Sequence, residues 1–106
     1  MDKNKVELRG RLGADPEKSS DRAPCRFRMG TKRKWGESEF TDWHRVVVWG
    51  HLGDVCLQKL STGSRVEVIG RIDYNKYEDK DGITRYFTEI VADEVKWDEK
   101  ADEMPF

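Results

Sequence analysis

Apolar residues recur at every second position through much of this chain. Val6, Leu8 and Leu12 alternate with Glu7, Arg9 and Arg11, which predicts a first strand over residues 5–12. Gly13-Ala14-Asp15-Pro16 ends it, and a polar loop to Asp21 follows. Cys25, Phe27 and Met29 alternate with Arg26 and Arg28, giving a second strand with a basic outer face. Lys32-Arg33-Lys34-Trp35-Gly36 reads as an exposed turn, and a third strand runs from Phe40 to Gly50. The period then changes. Leu52, Val55, Cys56 and Leu60 fall at helical spacing, so a helix of two or three turns is predicted, stopped by Ser61-Thr62-Gly63-Ser64. Val66, Val68 and Ile72 open a long fourth strand in which Gly70 marks a bulge or bend. Asp79-Lys80-Asp81-Gly82 is a hairpin turn, after which Arg85 to Val95 form the fifth strand.

The third strand organises the rest. At a two-residue period Val46 and Val48 share an apolar face, with His44 at its end. Trp43, Arg45, Val47 and Trp49 fall on the other. Two indoles flanking a guanidinium on the solvent side serve solubility poorly, but they suit unpaired bases stacked beside a phosphate. His44 faces the valine side with no oriented partner of the kind catalysis needs, and is read as structural.

Five strands, a helix between the third and fourth, and a long last hairpin match the order of an all-β OB-fold. That fold is a five-stranded Greek-key barrel that binds oligonucleotides across one face and its loops. Leu8, Phe27, Val46, Val48, Val66 and Val68 are the expected core.

Composition bounds the assembly. The chain has 106 residues, 36% of them hydrophobic and 39% charged. That allows one domain with a lean core, which self-association would supplement. Net charge is −1, which looks wrong for a nucleic-acid binder. However, residues 98–106 carry four acids against one lysine, so the preceding 97 residues are +2. The argument therefore rests on clustering, and Arg26, Arg28, Lys32, Arg33 and Lys34 supply it just before Trp35. The phosphate-binding candidates as a group are Arg9, Arg26, Arg28, Lys32, Arg33, Lys34, Arg45, Arg71, Lys76 and Arg85. Cys25 and Cys56 are isolated thiols that suggest neither a disulfide framework nor a metal knuckle. No signal peptide or membrane span is read, so the expected setting is cytoplasmic and nucleoid-associated.

These residues resemble the bacterial single-stranded DNA-binding proteins. The resemblance runs from Asn4-Lys5-Val6 to Leu12-Gly13 with Asp15-Pro16, through Trp43-His44-Arg45-Val46-Val47 and Gly63-Ser64, to Asp81-Gly82 before Arg85-Tyr86. It implies an OB-fold assembled as a homotetramer (a dimer being the alternative), with stacking aromatics at Trp35, Trp43, Trp49 and Tyr77. Trp49 stands where phenylalanine is common in that family and Tyr77 where tryptophan is common; both keep a π-face. Asp102-Glu103-Met104-Pro105-Phe106 is similar to the acidic tip that such proteins use to recruit DNA-processing partners. A carboxylate and a phenyl ring suit a basic, apolar pocket. Family members carry a long flexible linker before the tip, whereas here the fifth strand runs almost directly into it.

The expected organisation is therefore a DNA-binding barrel over residues 1–97 and a partner-binding tip over residues 98–106. The expected function is non-catalytic, sequence-independent binding of single-stranded DNA in replication, recombination or repair, with no cofactor or metal. An RNA-binding OB module would use the same stacking physics. A replication-restart OB dimer would lack the acidic tip. A small nuclease would need clustered acids, and Asp79 and Asp81 are better read as turn chemistry.

Overall fold

Strand alternation and turn chemistry produce the expected elements, with some displaced ends. The computed structural model describes residues 1–98. In chain order these form β1 (Val6–Leu12), β2 (Glu17–Lys18), β3 (Cys25–Trp35), β4 (Ser38–Val48), α1 (Gly50–Lys59), β5 (Arg65–Glu78) and β6 (Thr84–Trp97). The sheet runs β1-β5-β6-β4-β3-β2, and β1 also pairs with β3. That extra pairing closes the sheet into a five-stranded barrel, with β2 a short addition at its rim.

Closure requires two backbones to meet without side chains between them. Arg11 and Leu12 of β1 lie opposite Gly30 and Met29 of β3, while Val6 to Arg11 lie along β5. A Cβ on Gly10 would overlap the Gly30 carbonyl oxygen. Gly63 N–H donates to Leu12 O (2.9 Å) and Leu12 N–H to Ser64 O (3.0 Å), tying the segment after the helix to the same seam.

The barrel interior is filled by Leu12, Phe27, Met29, Val46, Val48, Val66, Val68, Ile90 and Val95, with Cys25, Cys56 and Leu60 beneath the helix end. Leu8 is half-buried against this cluster rather than inside it. Burial pushes the Cys56 thiol up to about 12, with the neighbouring Cys25 adding to the shift, so it is a neutral core residue. Helix α1 lies close because Gly53 has no side chain; a Cβ there would overlap the Val48 carbonyl oxygen. Gly70 does mark a bulge, with the β5–β6 register shifting between Ile69 and Gly70.

Four expectations change. Residues 32–35 are strand rather than turn: β3 continues to Trp35, and the chain reverses at Gly36, with φ +62°. Their charges do not prevent strand formation, because β4 pairs with them throughout, from Lys32↔Thr41 to Trp35↔Ser38. The polar loop before Asp21 contains β2, which pairs Glu17 and Lys18 with Arg26 and Cys25. The third of the expected strands stops at Val48, because Trp49 is the extended residue before α1 and Gly50, at φ +67°, turns the chain into the helix. Val47 is 2% exposed although it lies on the outward side of β4. Arg26 sits opposite it, and the Arg26–Glu89 ion pair (3.2 Å) reaches from β3 to β6 across β4 at this point.

Glycine at the seam is the critical local requirement. Gly10→Ala is expected to destabilise the barrel by about 1–3 kcal/mol, the usual cost of an overpacked site. A urea midpoint equal to that of the parent would show that the seam tolerates a side chain.

Candidate nucleic-acid interface

Register places the outward residues of four strands on one surface. Arg28 lies opposite Arg45, and Gly30 lies opposite Trp43, on the outer side of the β3–β4 ladder. On β6 and β5 the same side carries Phe87 opposite Asn75, and Glu89 opposite Asp73. A groove of about 600 Å³ runs between them, lined by Ala14, Asp15, Glu17, Arg26, Phe27, Arg28, Arg45, Val46, Tyr77, Phe87 and Glu89.

Rings and guanidinium groups alternate along this groove. Arg28 sits over the Trp43 ring at 5.3 Å, and Arg45 over Phe87 at 5.9 Å. Phe87 meets Tyr77 with ring centroids 5.8 Å apart at 58°. Trp43 remains 51% exposed and Tyr77 54%. The indole is held flat by absent side chains. A Cβ on Gly13 would overlap its six-membered ring, and one on Gly30 would lie 3.1 Å from it. Gly13 is fixed there by its N–H bond to Arg28 O (3.0 Å).

The charges fall into two groups. Many of the cations are already paired: Arg9 with Glu67 (3.3 Å), Arg26 with Glu89 (3.2 Å), Lys32 with Glu39 (3.3 Å), Arg33 with Asp42 (2.8 Å), Arg71 with Asp73 (3.4 Å) and Arg85 with Asp79 (3.0 Å). Glu89 is buried, and its second oxygen accepts from Asn75 Nδ2 (3.3 Å). Arg28 and Arg45 differ. They face each other directly across two strands, with no carboxylate within ion-pair distance among the described residues. Like charges directly opposite destabilise a sheet, and an anion laid between them removes that cost.

The other expected site residues are dispersed. Trp35 is 77% exposed near the tip of the β3–β4 hairpin, on the opposite side of the ladder from Trp43. Arg33 shares that opposite side, over the Phe40 ring at 4.9 Å. Trp49 is exposed at the start of α1 and lines neither this groove nor the one beyond Trp43. Lys34 is exposed on the hairpin arm, and Lys76 on β5 opposite Tyr86. His44 Nε2 hydrogen-bonds Thr31 Oγ1 at 2.9 Å, an ordinary half-buried contact. Residues 102–106 lie outside the described residues. Phe87 and Glu89 were not among the sequence candidates, although their alternation with the core residue Ile90 would have placed them outward.

Beyond Trp43 a second groove of about 860 Å³ is lined by Arg9, Arg11, Lys32, Arg65 and Lys96, with Glu67 and Asp98. Among the described residues there is no group of three or more His, Cys, Asp or Glu side chains placed to hold a metal ion. No helix of the described residues is long and apolar enough to cross a membrane.

The class that this geometry defines is an OB-fold barrel with an aromatic, arginine-lined face suited to flat bases and phosphates. Residues 3–98 match the model of the single-strand binding protein family. A single-stranded DNA-binding protein of Neisseria meningitidis serogroup B is 39% identical over 104 residues, covering 91% of this chain and 60% of the relative. Single-stranded DNA-binding protein 1 of Chlorobaculum tepidum is 38% identical over 102 residues, covering 88% and 63%. A Plasmodium falciparum SSB in complex with ssDNA superposes with TM-score 0.81 at 25% identity, covering 92% of this chain and 96% of that one. The chain belongs to the single-strand binding protein family. It spans about six-tenths of the length of the curated bacterial relatives.

The hairpin that carries Tyr77 has an acid-sensitive turn. Asp79 Oδ1 accepts the N–H groups of Ile83 (3.0 Å) and Asp81 (2.9 Å), and Oδ2 accepts from Arg85 Nε (3.0 Å). The Ile83 bond, then Arg85, hold the carboxyl below its ordinary value of 3.8. The folded turn therefore favours the ionised form. Its contribution is present above the ordinary carboxylate pKa and is lost as pH falls through the lower folded value. The Ile83 and Asp81 amide resonances should titrate below about pH 4, and Asp79→Asn should remove that titration. Identical acid titrations in the two proteins would show that Asp79 does not govern the turn.

Proposed function

We propose that this chain binds single-stranded DNA independently of sequence, without catalysis or cofactor, and protects it during replication, recombination or repair. The carrying observation is the Arg28–Arg45 pair set between the Trp43 ring and the Phe87–Tyr77 rings. Bases stack on the rings because every base has a π-face. Phosphates neutralise two arginines that have no counterion among the described residues. The names of the relatives and the DNA in the similar complex support the same reading.

Self-association is part of the proposal, with a homotetramer expected. Along β1, residues 6–10 pair only with β5, which leaves their other edge open. The β5–β6 arm exposes Tyr74, Tyr86 and Ile83. Light scattering of the free protein measures the assembly directly. Cytoplasmic, nucleoid-associated placement completes the reading.

Trp43→Ala is expected to weaken oligo-dT binding by about 1–3 kcal/mol, the cost of one lost base stack. Converting Arg28 and Arg45 to Gln should make the slope of log K against log salt shallower by about 1.4, at roughly 0.7 per phosphate contact. Stability should stay within about 0.5 kcal/mol of the parent, as for ordinary surface changes. If affinity and slope both survive these substitutions in folded protein, the reading fails. Equal or tighter binding of oligo-rU would redirect it to RNA.

We further propose that Asp102, Glu103, Met104, Pro105 and Phe106 dock on DNA-processing proteins, with Phe106 filling an apolar hole and the acids meeting a basic rim. Deleting residues 104–106 should abolish such complexes while leaving oligo-dT affinity almost unchanged. Retained partner binding after that deletion would exclude the role.

A further inference from the structure

A second pair of like charges lies on the other side of Trp43. Arg11 of β1 is directly opposite Arg65 of β5, and neither has a carboxylate within ion-pair distance among the described residues. Register links this pair to the first groove. Arg65 faces Arg11, Arg11 faces Gly30, and Gly30 faces Trp43. Directly opposed residues project to the same side of a sheet, so these four form one transverse row across β5, β1, β3 and β4. Three strand spacings make that row about 14 Å long.

The middle of the row carries no side chain of its own, and Thr41 Cγ2 and the Trp43 ring close over it. Gly30 offers only backbone, and the Trp43 indole lies against it, forming part of the wall of the second groove. The groove is basic, with five cations against Glu67 and Asp98. Two of those cations are already held, Arg9 by Glu67 and Lys32 by Glu39, each at 3.3 Å, and Lys96 lies opposite Glu67 on the neighbouring strand. Arg11 and Arg65 are therefore left in the electrostatic position of Arg28 and Arg45: two guanidinium groups opposed by register, in a groove that the same Trp43 ring lines.

We infer that the second groove is a continuation of the DNA track, in which Arg11 and Arg65 clamp a phosphate of the strand that has stacked on Trp43. The inference rests on single-stranded DNA being the ligand of the first groove. It assigns a polarity of use: short strands occupy the Tyr77–Trp43 stretch, and only longer ones cross Trp43 to reach Arg11 and Arg65.

The test compares oligo-dT of about five and about fifteen nucleotides, within the range of site sizes found for single OB barrels. For the long oligonucleotide, R11Q/R65Q should reduce the salt slope by about 0.7, the value for one phosphate, which is about 5-fold in affinity at 0.1 M salt, with parent and variant converging near 1 M. Binding of the short oligonucleotide should be unchanged. R11K/R65K keeps two point charges and should restore most of the slope. An unchanged slope with the long oligonucleotide would overturn the inference while leaving the first groove's role intact. Equal losses at both lengths would also overturn it, by showing that the pair acts through the first groove or through folding. So would a changed particle mass in light scattering, which would make this face a contact between copies. If instead neither oligonucleotide binds the parent protein, the underlying DNA reading fails.

Discussion

Contact between β1 and β3 at Gly10 and Gly30 is the constraint on which the rest of the molecule depends. An OB barrel must bring its first strand against two partners, and strand backbones approach closely only where no Cβ intervenes. Here a side chain on Gly10 would occupy the position of a β3 carbonyl oxygen. Closure does more than seal the core. It brings Arg11 to the Gly30 position, and Gly30 to Trp43, so the seam of the barrel is also the centre of its outer face. Gly30 thereby does two jobs, admitting β1 on one side and seating the indole on the other.

The same register creates electrostatic stress on the outer face. Many cations among the described residues find a carboxylate, and such exposed pairs contribute little to stability. Among those that do not, two arginine pairs stand directly opposed, each fixed by a ladder that leaves it no choice of neighbour. The backbone hydrogen bonds of long strands and the buried aliphatic core outweigh the repulsion. Aromatic faces under Arg28 and Arg45 offset part of it, since each cation rests over a ring. An arrangement that the folded protein tolerates only at some cost would become favourable with an anion supplying the missing charge. Glu89, buried below the groove and bound to Arg26 and Asn75, keeps Arg26 out of that category.

Much of this was legible along the chain. Alternation at Val6 to Leu12 and Cys25 to Met29 marked strands, and the changed period at Leu52 to Leu60 marked the helix. Gly70 and Gly82 marked the bulge and the turn. Trp43 and Arg45 could be placed on an outer face from parity alone. The misreadings have specific causes. Consecutive charges at Lys32, Arg33 and Lys34 suggested a turn, yet strand arms that extend past a core have two wet sides and carry charge at every position. Trp49 followed the parity of its strand only until Gly50 turned the backbone into α1. Val47 lay on the predicted outer side but is buried, at the place where an ion pair joins the two strands that flank its own.

What the sequence determined by itself is what depends on neighbours within a few residues: strand and helix periods, turns, the faces of each strand, and the chemistry available on them. Family-like strings such as Trp43-His44-Arg45-Val46-Val47 extended that local reading to a fold. Only the tertiary structure decided which faces adjoin. Arg11 and Arg65 are 54 positions apart in the chain, and nothing local distinguishes them from other solvated arginines. Cross-strand register makes them neighbours, because a shift of one residue would send every side chain to the opposite face. The pairing of like charges, the glycine seat beneath Trp43 and the division of the basic residues into neutralised and unneutralised sets are all consequences of that register.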